Sequence, residues 1–174
     1  MNIPAFITGT VVIIFFSWIY SIKHRRFHGI PRFFAFESIY ILLLLNIRLW
    51  FSNPFSLLQV FSWILLCLSA YAGLAGFLHL KNQGEAQNSF ENTTKLVTSG
   101  IYSYIRHPLY TSLVLLGTGI VLKDPVPYKL LLGAVNIAAI WLTALTEEKE
   151  MIDRFGNDYR KYMQATKMFV PFII

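Results

Sequence analysis

Apolar residues along the chain fall into five long blocks separated by short polar breaks. Residues 3–22 carry no charged side chain. At 1.5 Å per helical residue, twenty of them match a hydrocarbon core of roughly 30 Å. No Lys or Arg precedes this block, and a secretory signal needs a basic leader, so the expectation is a retained helix. A basic patch follows, made of Lys23, His24, Arg25, Arg26, His28 and Arg32. The second block covers residues 33–50, with Glu37 near one end and Arg48 near the other. Ser52, Asn53 and Pro54 predict a tight turn. Residues 55–80 are again uncharged, a span long enough to cross with tilt.

Residues 81–106 form the longest polar stretch, with Lys81, Glu85, Gln87, Glu91, Asn92, Thr93, Thr94 and Lys95. Two shorter apolar blocks come next, at 108–122 and 130–146. The connection carries Lys123, Asp124, Pro125 and Pro127 and turns the chain sharply, which predicts a helical hairpin. The first arm is short for a full crossing. In the tail, 147–164, apolar residues at Met151, Ile152, Phe155, Tyr159, Tyr162 and Met163 have the spacing of one helical face. Arg154, Arg160 and Lys161 lie on the other face, as in an interfacial helix. The expected fold is therefore all-α: a polytopic integral membrane protein with about five transmembrane helices, a C-terminal helical hairpin and an interfacial C-terminal helix. Residues 1–80 form a scaffold of three spans, and 81–174 carry the polar, chemically equipped region.

Composition agrees with this pattern. Hydrophobic residues make up 55 % of the 174 and charged residues 14 %, against roughly 25 % charged in soluble domains. Mean hydropathy is +0.52. The net charge of +6 has a topological explanation. With alternating spans, twelve of the fifteen Lys and Arg share one side, leaving Arg48, Lys123 and Lys129 on the other. The positive-inside rule then places the N-terminus outside and the C-terminus in the cytosol, and no nucleic-acid partner is needed. One cysteine excludes a disulfide framework and a thiolate metal site. No GxGxxG, P-loop, HExxH or nucleophile elbow is present. His24 and His28 have helical spacing, but Arg25 and Arg26 between them oppose a divalent ion, so no metal is expected. His79 reads as an interfacial side chain. Ala72, Gly73, Ala75 and Gly76 read as a close helix-packing surface.

Polar residues gather at the cytosolic ends of the last three spans. A short hairpin brings the start of its first arm beside the end of its second, so Arg106 and His107 should face Glu147 and Glu148. Charges at a membrane boundary point to a functional site, the competing reading being an interfacial Arg–Glu latch.

The run LVTSGIYSYIRHPLY over residues 96–110 resembles the signature of isoprenylcysteine carboxyl methyltransferases and their prokaryotic relatives, within the wider superfamily of phospholipid methyltransferases. The second half of that signature is present as Glu147 and Glu148, then Phe155, Gly156, Asn157, Asp158, Tyr159, Tyr162 and Pro171. The resemblance covers about residues 81–174, and the first eighty match only as membrane spans. It implies a methyltransferase acting on a lipophilic acceptor from the bilayer. It also implies S-adenosylmethionine bound at the cytosolic end of the last helices without a Rossmann domain. Carried over by position, the cofactor contacts are Gln87, Thr94, Lys95, Leu96, Val97, Tyr102, His107, Pro108, Leu109, Tyr110 and Glu148. Arg106 and Glu147 are the candidate catalytic pair. Tyr102 and Tyr110 offer faces that attract a sulfonium, and Glu148 can accept from ribose hydroxyls or face the ammonium.

One position departs from the family. An arginine able to hold a substrate carboxylate is expected about one turn before the Glu pair, and here Trp141 to Thr146 contain no basic residue. Either another arginine substitutes, Arg106 being the nearest candidate, or the acceptor is not a prenylcysteine carboxylate. The rival readings are an NADPH-dependent enzyme resembling membrane sterol reductases, for which the 81–106 loop lacks a basic cluster, and a non-catalytic helical subunit.

Overall fold

The computed structural model describes residues 3–20, 28–84 and 94–173. Lys23, His24, Arg25, Arg26 and Gln87 lie outside the described residues. Six helices follow in order: α1 (Ile3–Tyr20), α2 (Gly29–Asn46), α3 (Leu57–Gln83), α4 (Pro108–Val121), α5 (Pro127–Phe155) and α6 (Asn157–Ala165). A 3-10 turn, Gly100–Ser103, lies between α3 and α4. Helices α2, α3 and α5 are long and apolar enough to cross a membrane. The apolar part of α1 (Ile3–Ile19) and α4 are shorter. With 14 residues, α4 is only about 21 Å long, well below a full hydrocarbon core. Leu57, Leu68, Leu74, Leu131 and Leu142 project outward with large exposed area, as side chains that face lipid do. The chain is an integral membrane protein.

Two of the expected boundaries shift. The second span begins at Gly29 rather than 33, because Pro31 sits in the first turn, where its missing N–H costs nothing. Arg32 therefore belongs to a helix and not to the loop in which the charge count placed it. The single tail helix expected over 147–164 is two helices. The α5 helix continues through Glu147 and Glu148 to Phe155, and Gly156, at φ +56, ends it before α6. Only glycine adopts that backbone at low cost, so the chain turns there.

Antiparallel packing of α2 on α5 sets the register of the bundle. At one end Lys129 Nζ donates to Asn46 Oδ1 at 2.9 Å and to Asp124 Oδ2 at 2.6 Å. Midway, Asn136 Nδ2 donates to the carbonyl of Ala35 at 3.1 Å. At the other end His28 Nδ1 lies 2.9 Å from Glu150 Oε2. Helix α4 packs against α3 over the small-residue surface: Gly76 lies against Pro108 and Leu109, and Ser69 Oγ donates to the carbonyl of Ser112 at 2.7 Å. The stripe from Ala72 to Gly76 is thus a packing surface, as its spacing suggests.

Candidate active site

Four elements converge at the end of the bundle opposite Lys129. Pro108 opens α4, with His107 as its N-cap residue. The missing N–H of a proline is harmless at that position, and its fixed φ commits the chain to helix. Just before it, residues 104–107 run parallel to the tail. Lys167 N donates to Tyr104 O at 3.1 Å, Arg106 N to Lys167 O at 2.8 Å and His107 N to Met168 O at 3.1 Å. Thr111 Oγ1 adds a bond to the carbonyl of Phe169 at 3.0 Å. The C-terminal segment is therefore strapped across the start of α4. This pairing has no periodicity to reveal it in the sequence.

The expected meeting of the RHP segment with the Glu pair takes a specific form. Arg106 Nε donates to Glu148 Oε1 at 2.7 Å, and His107 Nε2 lies 3.2 Å from the same oxygen. Arg106 Nη1 donates to the carbonyls of Met163 at 3.2 Å and Thr166 at 2.5 Å. Each of the two bidentate edges of the guanidinium thus has a nitrogen engaged within the protein. Glu147 faces elsewhere, since consecutive helical residues point about 100° apart. It accepts a hydrogen bond from Tyr110 and interacts electrostatically with His107, His28 and Arg32.

A cavity of about 270 Å³ opens between these elements. Its wall includes Leu96, Val97, Tyr102, Arg106, His107, Pro108, Leu109, Tyr110 and Glu147. Phe16, Phe36, Met151 and Phe155 supply an apolar side, and Tyr159 and Tyr162 of α6 close it. A second cavity of about 320 Å³ lies between the end of α3 and the segment before the 3-10 turn, lined by Asn82, Gln83 and residues 95–99. Leu96 and Val97 border both. Among the described residues, the N–H groups of Leu96, Val97 and Thr98 make no backbone hydrogen bond.

The residues singled out from sequence divide accordingly. Leu96, Val97, Tyr102, His107, Pro108, Leu109, Tyr110, Arg106 and Glu147 share the first cavity, and Lys95 borders the second. Thr94 and Glu148 border neither. Glu148 is occupied by Arg106 and His107, and Thr94 is exposed at the loop end, its N–H donated to the carbonyl of Gly84. Arg32 was missed as a site residue because its neighbours in sequence are loop cations. It is 3 % exposed, yet it lines the first cavity. Tyr159 and Tyr162 are legible as a helix face and as part of the family signature, but not as cavity residues.

Three buried phenols restrict the available chemistry. Burial pushes the hydroxyls of Tyr102, Tyr159 and Tyr162 well above the ordinary tyrosine range, and nearby glutamates push Tyr102 and Tyr159 further the same way. They are neutral donors, not bases. Tyr162 donates to the carbonyl of Tyr102 at 2.7 Å. His107 is stacked on Tyr110, with ring centroids 5.4 Å apart. Among the described residues no cluster of His, Cys, Asp or Glu is arranged to hold a metal.

Comparison with known proteins agrees with this architecture. The chain is 30 % identical to protein-S-isoprenylcysteine O-methyltransferase of Homo sapiens over 130 residues, which is 71 % of this chain and 42 % of that protein. The Schizosaccharomyces pombe protein of the same name is 30 % identical over 129 residues, 68 % of this chain and 52 % of that one. Methanethiol S-methyltransferase 1 of Bradyrhizobium diazoefficiens is 31 % identical over 71 residues, 41 % of this chain and 24 % of that protein. The chain spans about half, or less, of the length of these relatives. No solved structure matches. The phospholipid methyltransferase family matches residues 39–158, more than half of the chain, and the chain belongs to that family.

Proposed function

We propose that this protein is an S-adenosylmethionine-dependent methyltransferase acting on a lipophilic acceptor. The observation that carries the reading is the cavity at the start of α4, which gathers Tyr102, His107, Pro108, Leu109, Tyr110 and Glu147 around one space. Residues 96 and 97 continue it into a second space. The cofactor's chemistry fits this donor set. Its sulfonium suits the faces of Tyr102 and Tyr110, its ammonium suits Glu147, and the N–H groups of 96–98, which make no backbone hydrogen bond among the described residues, offer donors to a purine edge. When bound, S-adenosylmethionine supplies an electrophilic methyl group, whose S–C bond breaks with the electron pair kept by sulfur.

The protein's own contribution is placement. Tyr102, His107 and Glu147 orient the cationic end. Glu148 does not border the cavity and acts as a positioning residue, fixing Arg106 and His107. Phe16, Phe36, Met151 and Phe155 give an apolar wall next to α1 and α2, along which an acyl or isoprenoid chain can reach the site from the bilayer. Alignment of the two reactants supplies most of what a displacement needs. The neutral phenols provide no base, which suits an acceptor that is already ionised. With positive-inside orientation the N-terminus is outside, and the site faces the cytosol.

Binding of labelled S-adenosylmethionine and of NADPH to the purified protein tests the proposal. Saturable binding of the first alone is expected. Binding of NADPH instead would mark a reductase, and binding of neither would mark a helical subunit whose charges only latch.

A further inference from the structure

Resting on that reading, we infer that Arg32 binds the carboxylate of the lipophilic acceptor, a guanidinium supplied by α2 where α5 has none. The place on α5 is filled by small residues. Thr143 and Ala144 are 1 % and 0 % exposed, and Thr143 Oγ1 is spent on the carbonyl of Ala139 at 2.7 Å. Ala144 shares a buried cluster with Ala35 of α2. Toward the site, Arg32 of α2 and Glu147 of α5 both line the cavity, beside Phe16 and Phe36. An arginine from α2 therefore reaches the cavity wall, whereas Thr143 and Ala144 are buried away from it.

Arg106, the other candidate, is committed to Glu148 and to the carbonyls of Met163 and Thr166. Neither of its paired edges can grip a carboxylate without releasing either Glu148 or the tail. Glu147 and Arg32 attract each other across the cavity. A guanidinium has five donors, enough to serve Glu147 and an incoming carboxylate together. The apolar residues beside Arg32 place the acceptor's chain against α1 and α2. In the displacement a carboxylate oxygen forms the new O–CH3 bond, and no proton moves.

The test is binding to the full chain in detergent without cofactor, comparing a free S-farnesylcysteine analogue with its carboxamide. The wild type is expected to prefer the acid about ten- to a hundredfold, the usual weight of a charge-assisted bond. Arg32→Lys keeps the charge but loses the fork, and should lose most of that preference with the carboxamide's affinity unchanged. Arg32→Gln should abolish it. Should Arg32→Gln fail to fold, the acid-to-amide ratio of Arg32→Lys decides. No acid preference in the wild type, or an undiminished ratio in Arg32→Lys, overturns the inference. S-adenosylmethionine affinity, measured separately on the wild type, reports on the proposed function whatever the outcome for Arg32.

Discussion

Arg106 and Glu148, 42 residues apart in sequence, meet at 2.7 Å with their side chains 9 % and 7 % exposed. The pair joins the start of α4 to the last turns of α5, and through Nη1 of Arg106 it also holds the turn after α6. The pair latches these elements together while Arg106 also lines the cavity, so the two readings of the charge cluster are not exclusive. Arg106→Gln strands Glu148 and two carbonyls, and breaking a buried pair from one side costs about 3–5 kcal/mol. A large fall in melting temperature is expected in detergent. The Arg106→Gln, Glu148→Gln double variant should lose less than the two single losses combined. An unchanged melting temperature in Arg106→Gln would mean that the pair is effectively solvated.

The two adjacent glutamates should separate experimentally. Glu147 borders the cavity, and Glu148 does not. Glu147→Gln is expected to weaken S-adenosylmethionine binding about ten- to a hundredfold, the loss of one charge-assisted bond, with a modest change in melting temperature. Glu148→Gln is expected to lower the melting temperature more. The reverse pattern in titration and thermal melts would exchange their roles.

The charge-free run at 55–80 made α3 legible as a span, whereas the uncharged block at 3–22 forms a helix whose apolar part is shorter than the spans of α2, α3 and α5. The meeting of Arg106 and His107 with the Glu pair was legible too, since a hairpin must return beside its own start. Which glutamate faces the cavity was not. It depends on the rotation of α5, which is fixed by the bond of Asn136 to the carbonyl of Ala35 on α2 and by Ala139 and Ala144, which share a buried cluster with Ala35. Arg32 was hidden for the same reason: a cation beside a basic loop looks solvated until the α2 register buries it. The break at Gly156 was present in the sequence, but an unbroken apolar spacing on both sides masked it.

Gly100 is the turn that lets the segment before α4 fold back onto α3. Its φ is +60, and an added Cβ would overlap the ring of His79. His79 is itself fixed by a 3.0 Å contact of Nδ1 with the carbonyl of Ala75. Gly100→Ala therefore meets both a left-handed backbone, worth about 1–2 kcal/mol, and a clash. Adding His79→Ala should recover the clash portion only. Limited proteolysis of the 94–104 segment in the two variants measures this. Equal resistance of Gly100→Ala and wild type would show that the turn relaxes freely.

The buried phenols predict how stability responds to alkali. Tyr102, Tyr159 and Tyr162 hold their protons in the folded state beyond the ordinary tyrosine value of about 10, chiefly because burial penalises the phenolate. Below that value both folded and unfolded chains keep the proton, so these groups give no pH dependence from neutral up to about pH 10. Above it the unfolded chain ionises first and binds fewer protons than the native one, so unfolding becomes easier as pH rises. Melting temperature should be level from pH 7 to about 9.5 and fall beyond it, apart from what lysines contribute. Tyr159→Phe removes one phenol whose neighbours Glu147 and Glu148 oppose its ionisation, and it should reduce the slope of that fall. Difference absorbance of the folded protein should show Tyr102, Tyr159 and Tyr162 titrating only as the protein unfolds. Reversible ionisation of these three near pH 10 without unfolding would mean that water reaches them freely, and the cavity they line would then not be the shielded, donor-lined space on which the proposed chemistry depends.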